Sequence, residues 1–576
     1  MIDITSCPKA YSREQDKACP PEETVSRVKE RLGAFGADIL AEVRRIDTGR
    51  LGIPVYMSLC GDAARGVMPT RKQMGKGASP IQAEASALME LTERYSFFSF
   101  WNTEEQFEKL TLSEAEAKWP GQVIPIEEII ASAGDSISPD DARTVMDLVR
   151  WRFYPATDVL DGREVYVPLD WFKKLNEFNG SSAGNTFAES ILQGGCELVE
   201  RHVCTIADRT TPTMATIDPD SSDDPVLAEL VAAFHDNGIA FWLKDMSFGM
   251  PVPTVAALAY DPKTFPDSSE IVYTAGTAAS PAKAAIRALT EVAQLAGDFE
   301  TGANYEASGL PKYLRIEDTA HITAGETIPL SDLPSIEADD IATELKNLCA
   351  GLKAKGHPLY SVSTQQETLG IPSNYSFVPG FLFRERTPEA SIGLFVGRIL
   401  AEDAELDDAL AGLAVLEAVY PGAHFLPFFE ALIRLRMGDT DGAATLFAEA
   451  EPRQHSADDK GLAAFYQAYA LTQSGDFSGA EPHLDRAIEH CPEVKEYFNL
   501  RGVTRFKREA YADAISDFKA ALDLDSGSAM DLANLGICYK NLGSTDEAIH
   551  CLASALELDP QLEFAKTHLD EILTGG

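Results

Sequence analysis

Between residues 187 and 203 apolar positions recur at helical spacing, with Phe187, Ile191 and Leu198 on one flank and Leu192, Cys196, Val199 and Val203 on the other. A helix turns by about 100° per residue, so Glu189, Gln193, Glu197 and Glu200 fall within an arc of roughly 80°. The pattern predicts a mostly buried helix with one stripe of acids. Taken alone, such a stripe is either the wet face of an amphipathic helix or a set of carboxylates converging on a cation. Two other segments share the pattern. In 75-GKGASPIQAEASALMELTERYSFF, Glu90 and Glu93 are three apart with Ser86 on the same face; in 276-GTAASPAKAAIRALTEVAQLAGD, Arg287, Glu291 and Gln294 share a face. Each follows a glycine-containing turn. Short β-rich runs (164-EVYVPLDWF, 253-PTVAALAY, 271-IVYTAG, 376-SFVPGFLF) alternate with these helices, so residues 1–395 read as an α+β domain.

Residues 396–576 have a different rhythm. Ala480, Ala514 and Ala548 are spaced by 34, each followed by a bulky residue (Leu484, Phe518, Leu552) and then by Ala487, Ala521 and Ala555. This is a tetratricopeptide pattern, which predicts an all-α solenoid of stacked helix pairs. Gly536 lets one pair approach closely and Pro560 stops its second helix. A looser copy is centred on Ala443, with a three-residue insertion after it, and a half-copy around Ala409 ends at Pro421. The groove of such an array takes a peptide or partner segment; a docking or dimerisation module is the equal alternative.

The 576 residues suffice for several cores, and 45% hydrophobic with 9% aromatic residues describes a globular chain. Ninety acids against 49 bases give a net charge of −41, which argues against nucleic acid and anionic membranes as partners. No run reaches the roughly 20 apolar residues of a membrane span, and the first residues do not read as a signal peptide, so a cytoplasmic protein is expected. Nine scattered cysteines without a C-x-x-C pair fit reduced thiols, Cys7 and Cys19 included.

Charge matters most within the three acidic helices. Buried carboxylates need bases or cations, and here Lys76, Arg94, Arg201 and Arg287 face Glu90, Glu93, Glu189, Glu197, Glu200 and Glu291. The excess of hard oxygen ligands, without Cys/His spacing, points to Mg²⁺ rather than zinc. Mg²⁺ commonly accompanies phosphate, which Lys76, Arg201, Arg287 and the glycine-turn N–H groups could hold. The expectation is a Mg-nucleotide site built from helices, because neither G-x-x-x-x-G-K-[ST] nor a kinase-type G-x-G-x-x-G is present.

At these residues the chain resembles the YcaO family, whose members carry GKG before S-A-x-x-E-x-x-E-R, N-G-x-A-x-G-N-T before E-x-x-E-R, and R-A-x-x-E-x-x-Q. Here the motifs are 75-GKG with 86-SALMELTER, 179-NGSSAGNT with 197-ELVER, and 287-RALTEVAQ. The likeness runs from about residue 10, through 22-EETVSRVKERLGAFGADIL and 369-LGIPSNYSFVPG, to about 395. It implies ATP-dependent activation of a peptide amide: a nucleophile adds to the carbonyl, the oxyanion takes a phosphoryl group, and phosphate departs.

The resemblance also implies site residues. Glu90, Glu93, Glu189, Glu197, Glu200 and Glu291 match positions that bind Mg²⁺ or nucleotide, and Asn185, Arg201 and Arg287 match positions near the phosphates. Lys17 and Thr24 match a lysine and a hydroxyl that contact nucleotide; as residues alone they read equally well as an exposed lysine and a helix-start threonine. With Lys76 and Gln294 these complete the expected ATP-contacting set, while no catalytic residue is assigned. The chain departs from the family at His202, where an acid is usual, and it ends 571-EILTGG without a Pro-rich tail. A fused leader-peptide-binding or adenylating domain is not expected.

These differences favour the branch of the family with a helical C-terminal part, to which an accessory role in methylthiolation of a small-subunit ribosomal protein is ascribed. A homodimer is expected. The alternatives are a catalytically silent scaffold and a thioamide-forming enzyme with a sulfur-delivering partner.

Overall fold

Glycines bring strands onto helices twice in the N-terminal unit. The strand Lys72–Lys76 lies so close to the helix that follows it that a Cβ on Gly75 would sit 2.0 Å from the Ala87 nitrogen; a Cβ on Gly276, in the strand Val272–Thr277, would meet Ala288 N at 2.5 Å. Only glycine permits that approach. The structure is a computed structural model and describes residues 2–34, 38–300, 302, 305, 309–384, 386 and 390–574. Phe35, Gly36 and Ala37 of the family-like N-terminal segment, and the last two glycines of 571-EILTGG, lie outside the described residues.

The chain divides into two compact units, Met1–Pro139 with Arg150–Ala390, and Asp140–Val149 with Ser391–Gly576. The first is α+β, with three sheets. One is antiparallel and three-stranded (Leu40–Arg45, Val55–Cys60, Lys72–Lys76). A second has five strands, ordered Val272–Thr277, Thr254–Tyr260, Ala240–Asp245, Thr216–Asp218 and Thr327–Pro329, with a parallel last pair. A third has six and includes Trp151–Asp158, Tyr360–Ser363, Ser373–Phe377 and Ser181–Ala183.

Five helices matter below: α1 (Pro21–Ala34), α2 (Pro80–Trp101), α3 (Phe187–Thr210), α4 (Pro281–Ala296) and α5 (Ile341–Ala354). The segment 253-PTVAALAY is a fully paired strand apart from its proline. Two β-rich runs are only partly strand: 164-EVYVPLDWF turns into the helix Leu169–Asn176 after Pro168, and 376-SFVPGFLF leaves the sheet after Phe377. Proline accounts for both, since it donates no ladder hydrogen bond.

The second unit is a helical solenoid: α6 (Ile392–Glu402), α7 (Leu406–Val419), then pairs α8 (Leu426–Arg436) with α9 (Thr440–Ala450), α10 (Ala457–Gln473) with α11 (Phe477–His490), α12 (Lys495–Lys507) with α13 (Tyr511–Leu524), α14 (Ala529–Asn541) with α15 (Thr545–Leu558), and finally α16 (Glu563–Thr574). Residues 391–395 thus group with the repeats. Ala480, Ala514 and Ala548 are fully buried, and Gly536 packs so tightly on Leu552 that an added Cβ would come within 2.8 Å. The small residues set the distance between paired helices. Among the described residues, no helix is long and apolar enough to cross a membrane.

Candidate functional site

The N-termini of α2 and α4 are built alike. Each strand ends, crosses a short turn, and enters its helix through Ser-Pro: Ser79-Pro80 and Ser280-Pro281. Proline at the first helical position sacrifices no hydrogen bond. The two segments align at a constant offset of 201, pairing Gly75 with Gly276, Ala83 with Ala284, Ala87 with Ala288 and Glu90 with Glu291. In both, the glycine faces the backbone of the same two alanines. Glu90 and Glu291 are therefore equivalent positions in two copies of one strand–turn–helix unit. The signal is plain in 75-GKGASP and 276-GTAASP.

The third helix, α3, starts at Thr186, whose hydroxyl accepts from Glu189 N at 3.2 Å. One pocket of about 390 Å³ is lined by every expected residue: Lys17, Thr24, Lys76, Glu90, Glu93, Asn185, Glu189, Glu197, Glu200, Arg201, Arg287, Glu291 and Gln294. Gln193 and Ser86 line it as well. Its size suits a small-molecule ligand.

Two kinds of carboxylate share these walls. Glu189 is buried and satisfied: it accepts from Ala18 N at 2.9 Å and from the Asn185 side-chain amide at 3.1 Å, and it pairs with Lys17 at 3.4 Å. Asn185 in turn accepts from Thr24 Oγ1 at 3.0 Å and from Arg27. Lys17, Thr24, Asn185 and Glu189 thus form one network joining the N-terminal arm to α3. Glu200 accepts from Thr277 N at 2.9 Å, and Lys76 pairs with Glu291.

Glu93 is different. Its nearest cation is Arg94 at 3.3 Å, yet Glu93 Oε1 and Arg94 Nη1 are both buried without a hydrogen-bond partner, as is Arg287 Nε. Burial, reinforced by Glu197 and Glu90 and opposed by Arg94, pushes Glu93 up to about 8. Burial likewise raises Glu90, and it raises Glu197 against the pull of Arg201 and Arg94. Such groups ionise only when positive charge reaches them.

The sequence reading missed part of the site. Glu14, 1% exposed, accepts from Ser79 N at 3.1 Å and Ser79 Oγ at 2.6 Å, so the N-terminal arm caps α2. Gln15 lines the pocket. Nothing local in the sequence marks either. Arg94 stacks over Phe178 at 4.3 Å, an aromatic residue that is 41% exposed and stands beside the pocket. Lys17 is a fifth base, so the surplus of acids over bases is smaller than the helices alone suggested.

His202 does not line this pocket. It is buried, stacked on Phe381 at 4.4 Å, and its Nδ1 accepts from Leu382 N at 3.0 Å. Burial and the nearby His357 lower it to about 4. It is a neutral packing residue.

Buried carboxylate and guanidinium atoms left without hydrogen bonds fit an ionic ligand of both signs. Six carboxylates and five bases leave little net charge, and a polyphosphate would add negative charge that hard divalent cations must balance. Glu90, Glu93 and Glu197 could hold Mg²⁺, and Lys76, Arg201 and Arg287 could meet phosphate. An α+β unit with such a pocket belongs to the nucleotide-and-metal class of site.

The chain belongs to the YcaO family: residues 74–382 match the family model described as YcaO cyclodehydratase, ATP- and Mg²⁺-binding. ATP and Mg²⁺ are thus the cofactors of its family. Tetratricopeptide-repeat models match residues 430–493, 467–529 and 532–562. A protein of Methanothermobacter thermautotrophicus is 26% identical over 394 residues, 65% of this chain and 97% of its own length. The ribosomal protein S12 methylthiotransferase accessory factor YcaO of Escherichia coli (strain K12) is 27% identical over 212 residues, 33% of this chain and 35% of its own. Among solved structures, a heterocyclase in complex with substrate and cofactor is similar in fold, with a TM-score of 0.53 and 20% identity over 66% of this chain. The chain spans about half (54%) of that heterocyclase.

Proposed function

We propose that the chain uses ATP and Mg²⁺ to activate a backbone amide of a peptide or protein, and that its repeats recruit that substrate or a partner protein. The observation that carries this reading is the convergence of three helices' carboxylates and bases on one pocket, with Glu93 Oε1, Arg94 Nη1 and Arg287 Nε buried there without hydrogen bonds. Bound Mg-ATP supplies the phosphoryl group that turns the amide oxygen into a leaving group. Lys76, Arg201 and Arg287 orient the phosphate oxygens and neutralise charge as it develops. Glu90, Glu93 and Glu197 hold the metal side. Glu189, Asn185, Thr24 and Lys17 fix the N-terminal arm against α3 so that the nucleotide meets a preformed wall.

The test is calorimetry with Mg²⁺ and the non-hydrolysable analogue AMP-PCP. Glu197→Ala and Arg287→Ala are expected to lower affinity by about a hundredfold or more while cooperative melting persists. Wild-type affinity in both variants would overturn the reading. The name of the E. coli relative supports an accessory role in ribosomal-protein methylthiolation, whereas a thioamide-forming role would use the same residues. Mass spectrometry of proteins from cells with and without the chain separates them: a missing methylthio group favours the first, a missing amide-sulfur exchange the second. The scaffold reading rested on His202, which packs away from the pocket, and no observation favours it.

A further inference from the structure

Three cavities of the α+β unit adjoin through shared walls. An outer groove of about 630 Å³ is lined by the N-terminal arm, the start of α4 and parts of the segments 221–224 and 330–339. A neck of about 50 Å³ shares Asp16 and Lys283 with that groove. The neck in turn shares Lys17, Glu189, Gln193 and Arg287 with the pocket of about 390 Å³ described above. Groove, neck and pocket thus lie in sequence, from the surface to the arginine assigned to phosphate. The neck is smaller than two liquid waters at about 30 Å³ each, so it takes one small polar group and is too narrow for a base, a sugar or a phosphate chain.

Ion pairs hold the neck's walls. Asp16 pairs with Lys9 at 3.0 Å and with Lys283, and Lys9 pairs with Glu344 Oε1 at 2.7 Å. Glu344, on α5, is fully buried, and its Oε1 also accepts from Ala338 N at 3.2 Å. Its Oε2 is buried without a hydrogen bond. Arg287 gives Nη1 to Gln193 at 3.2 Å and keeps Nε buried without a hydrogen bond. Glu344 and Arg287 both line the neck, beside Leu192, Cys196, Ala278 and Ile341. An acceptor and a donor left open among apolar side chains cost free energy until a ligand closes them.

We infer that the neck seats the backbone amide to be activated, carried by an extended polypeptide lying in the outer groove, with the amide N–H donating to Glu344 Oε2 and the amide oxygen accepting from Arg287 Nε. A trans amide offers one donor and one acceptor on opposite sides of a flat, uncharged group, which is the complement of these two open atoms. A carboxylate would be repelled by Glu344 and an ammonium group by Arg287. The inference rests on the proposed function and deepens it: Arg287 borders both cavities, so an amide oxygen held by it adjoins the phosphates of a bound nucleotide.

The test uses the full chain and two capped tripeptides, N-acetyl-triglycine dimethylamide and N-acetyl-trisarcosine dimethylamide, titrated by calorimetry with and without Mg²⁺ and AMP-PCP. The glycine peptide should bind about fivefold or more tightly than the sarcosine peptide, which has no backbone N–H. Ala278→Leu fills the neck and Glu344→Leu removes its acceptor, and neither residue lines the nucleotide pocket, so AMP-PCP affinity should be retained in both. Ala278→Leu should abolish binding of the glycine peptide. Glu344→Leu should bring the two peptides to within about twofold of each other, a readout that a merely structural role would not give. Cooperative melting identifies the folded variants, and either one alone decides. The inference is overturned when the wild type binds no glycine peptide, when Ala278→Leu binds it unchanged, or when Glu344→Leu keeps the preference for N–H. Loss of AMP-PCP affinity in both folded variants overturns it as well, because the neck would then belong to the nucleotide. Peptide binding is also read without nucleotide, so failure of the nucleotide reading in the wild type is visible apart from failure of this one.

Discussion

Asp517 in the repeats and Glu93 in the α+β unit are both carboxylates held by arginine, yet they are held in opposite ways. Asp517, 2% exposed, receives Arg501 through two nitrogens at 3.0 and 2.7 Å and Arg505 through one at 2.9 Å, closing its hydrogen bonds on both oxygens. Glu93 Oε1 meets a single arginine nitrogen, Arg94 Nη1, at 3.3 Å, and neither atom is hydrogen-bonded. Burial is the largest influence on both, raising each from the ordinary carboxylate range. The arginines answer it at Asp517 by direct hydrogen bonds; at Glu93 two further carboxylates add to it. A structural carboxylate such as Asp517 is closed by its neighbours; on the function proposed above, Glu93 is left without a hydrogen bond because it serves a ligand.

Asp517→Ala should break the closed case most severely. It strands two arginines, at a cost of about 3–5 kcal/mol, read as loss of the repeat unit's unfolding transition to lower denaturant with AMP-PCP affinity unchanged. His202→Ala should come next. Removing a ring stacked on Phe381 costs about 2–3 kcal/mol, again with nucleotide affinity unchanged, because the ring lies outside the pocket.

The open case is sharpened by Glu93→Gln, which should leave stability within about 1 kcal/mol of wild type while weakening Mg-dependent nucleotide binding about tenfold or more. The same residue sets a pH signature. Its folded value, about 8, lies above its unfolded one, so its contribution to stability is present at low pH and lost as pH rises toward 8. Metal binding requires the ionised form and should therefore tighten with rising pH up to about 8, with proton release that Glu93→Gln reduces. His202 has the opposite sign: lowered to about 4, its contribution is present above the unfolded value and lost as pH falls through that interval. The smallest effect belongs to the exposed pair Arg453–Glu449, where Arg453→Ala should cost no more than about 0.5 kcal/mol in a melt.

Periodicity carried much of this molecule. The 34-residue spacing of Ala480, Ala514 and Ala548 specified the solenoid because each alanine must sit where two helices touch. The acid stripe on α3 and its two counterparts specified which residues would meet, since side chains at three- and four-residue spacing share a face. The β-rich runs were legible up to their prolines and not beyond, because hydrophobicity continues into Asp170-Trp171-Phe172 while strand pairing does not.

What the sequence determined by itself is the set of faces: helices with one acidic side, and an array with a fixed repeat. Tertiary structure alone decided which carboxylates are open. Glu189 and Glu93 look alike along the chain, but only folding brings the Ala18 amide, Lys17 and the Asn185 side chain onto the first and leaves one oxygen of the second without a hydrogen bond. Those partners lie up to 171 residues away, and hydrogen-bond satisfaction depends on contacts in space that no local pattern records.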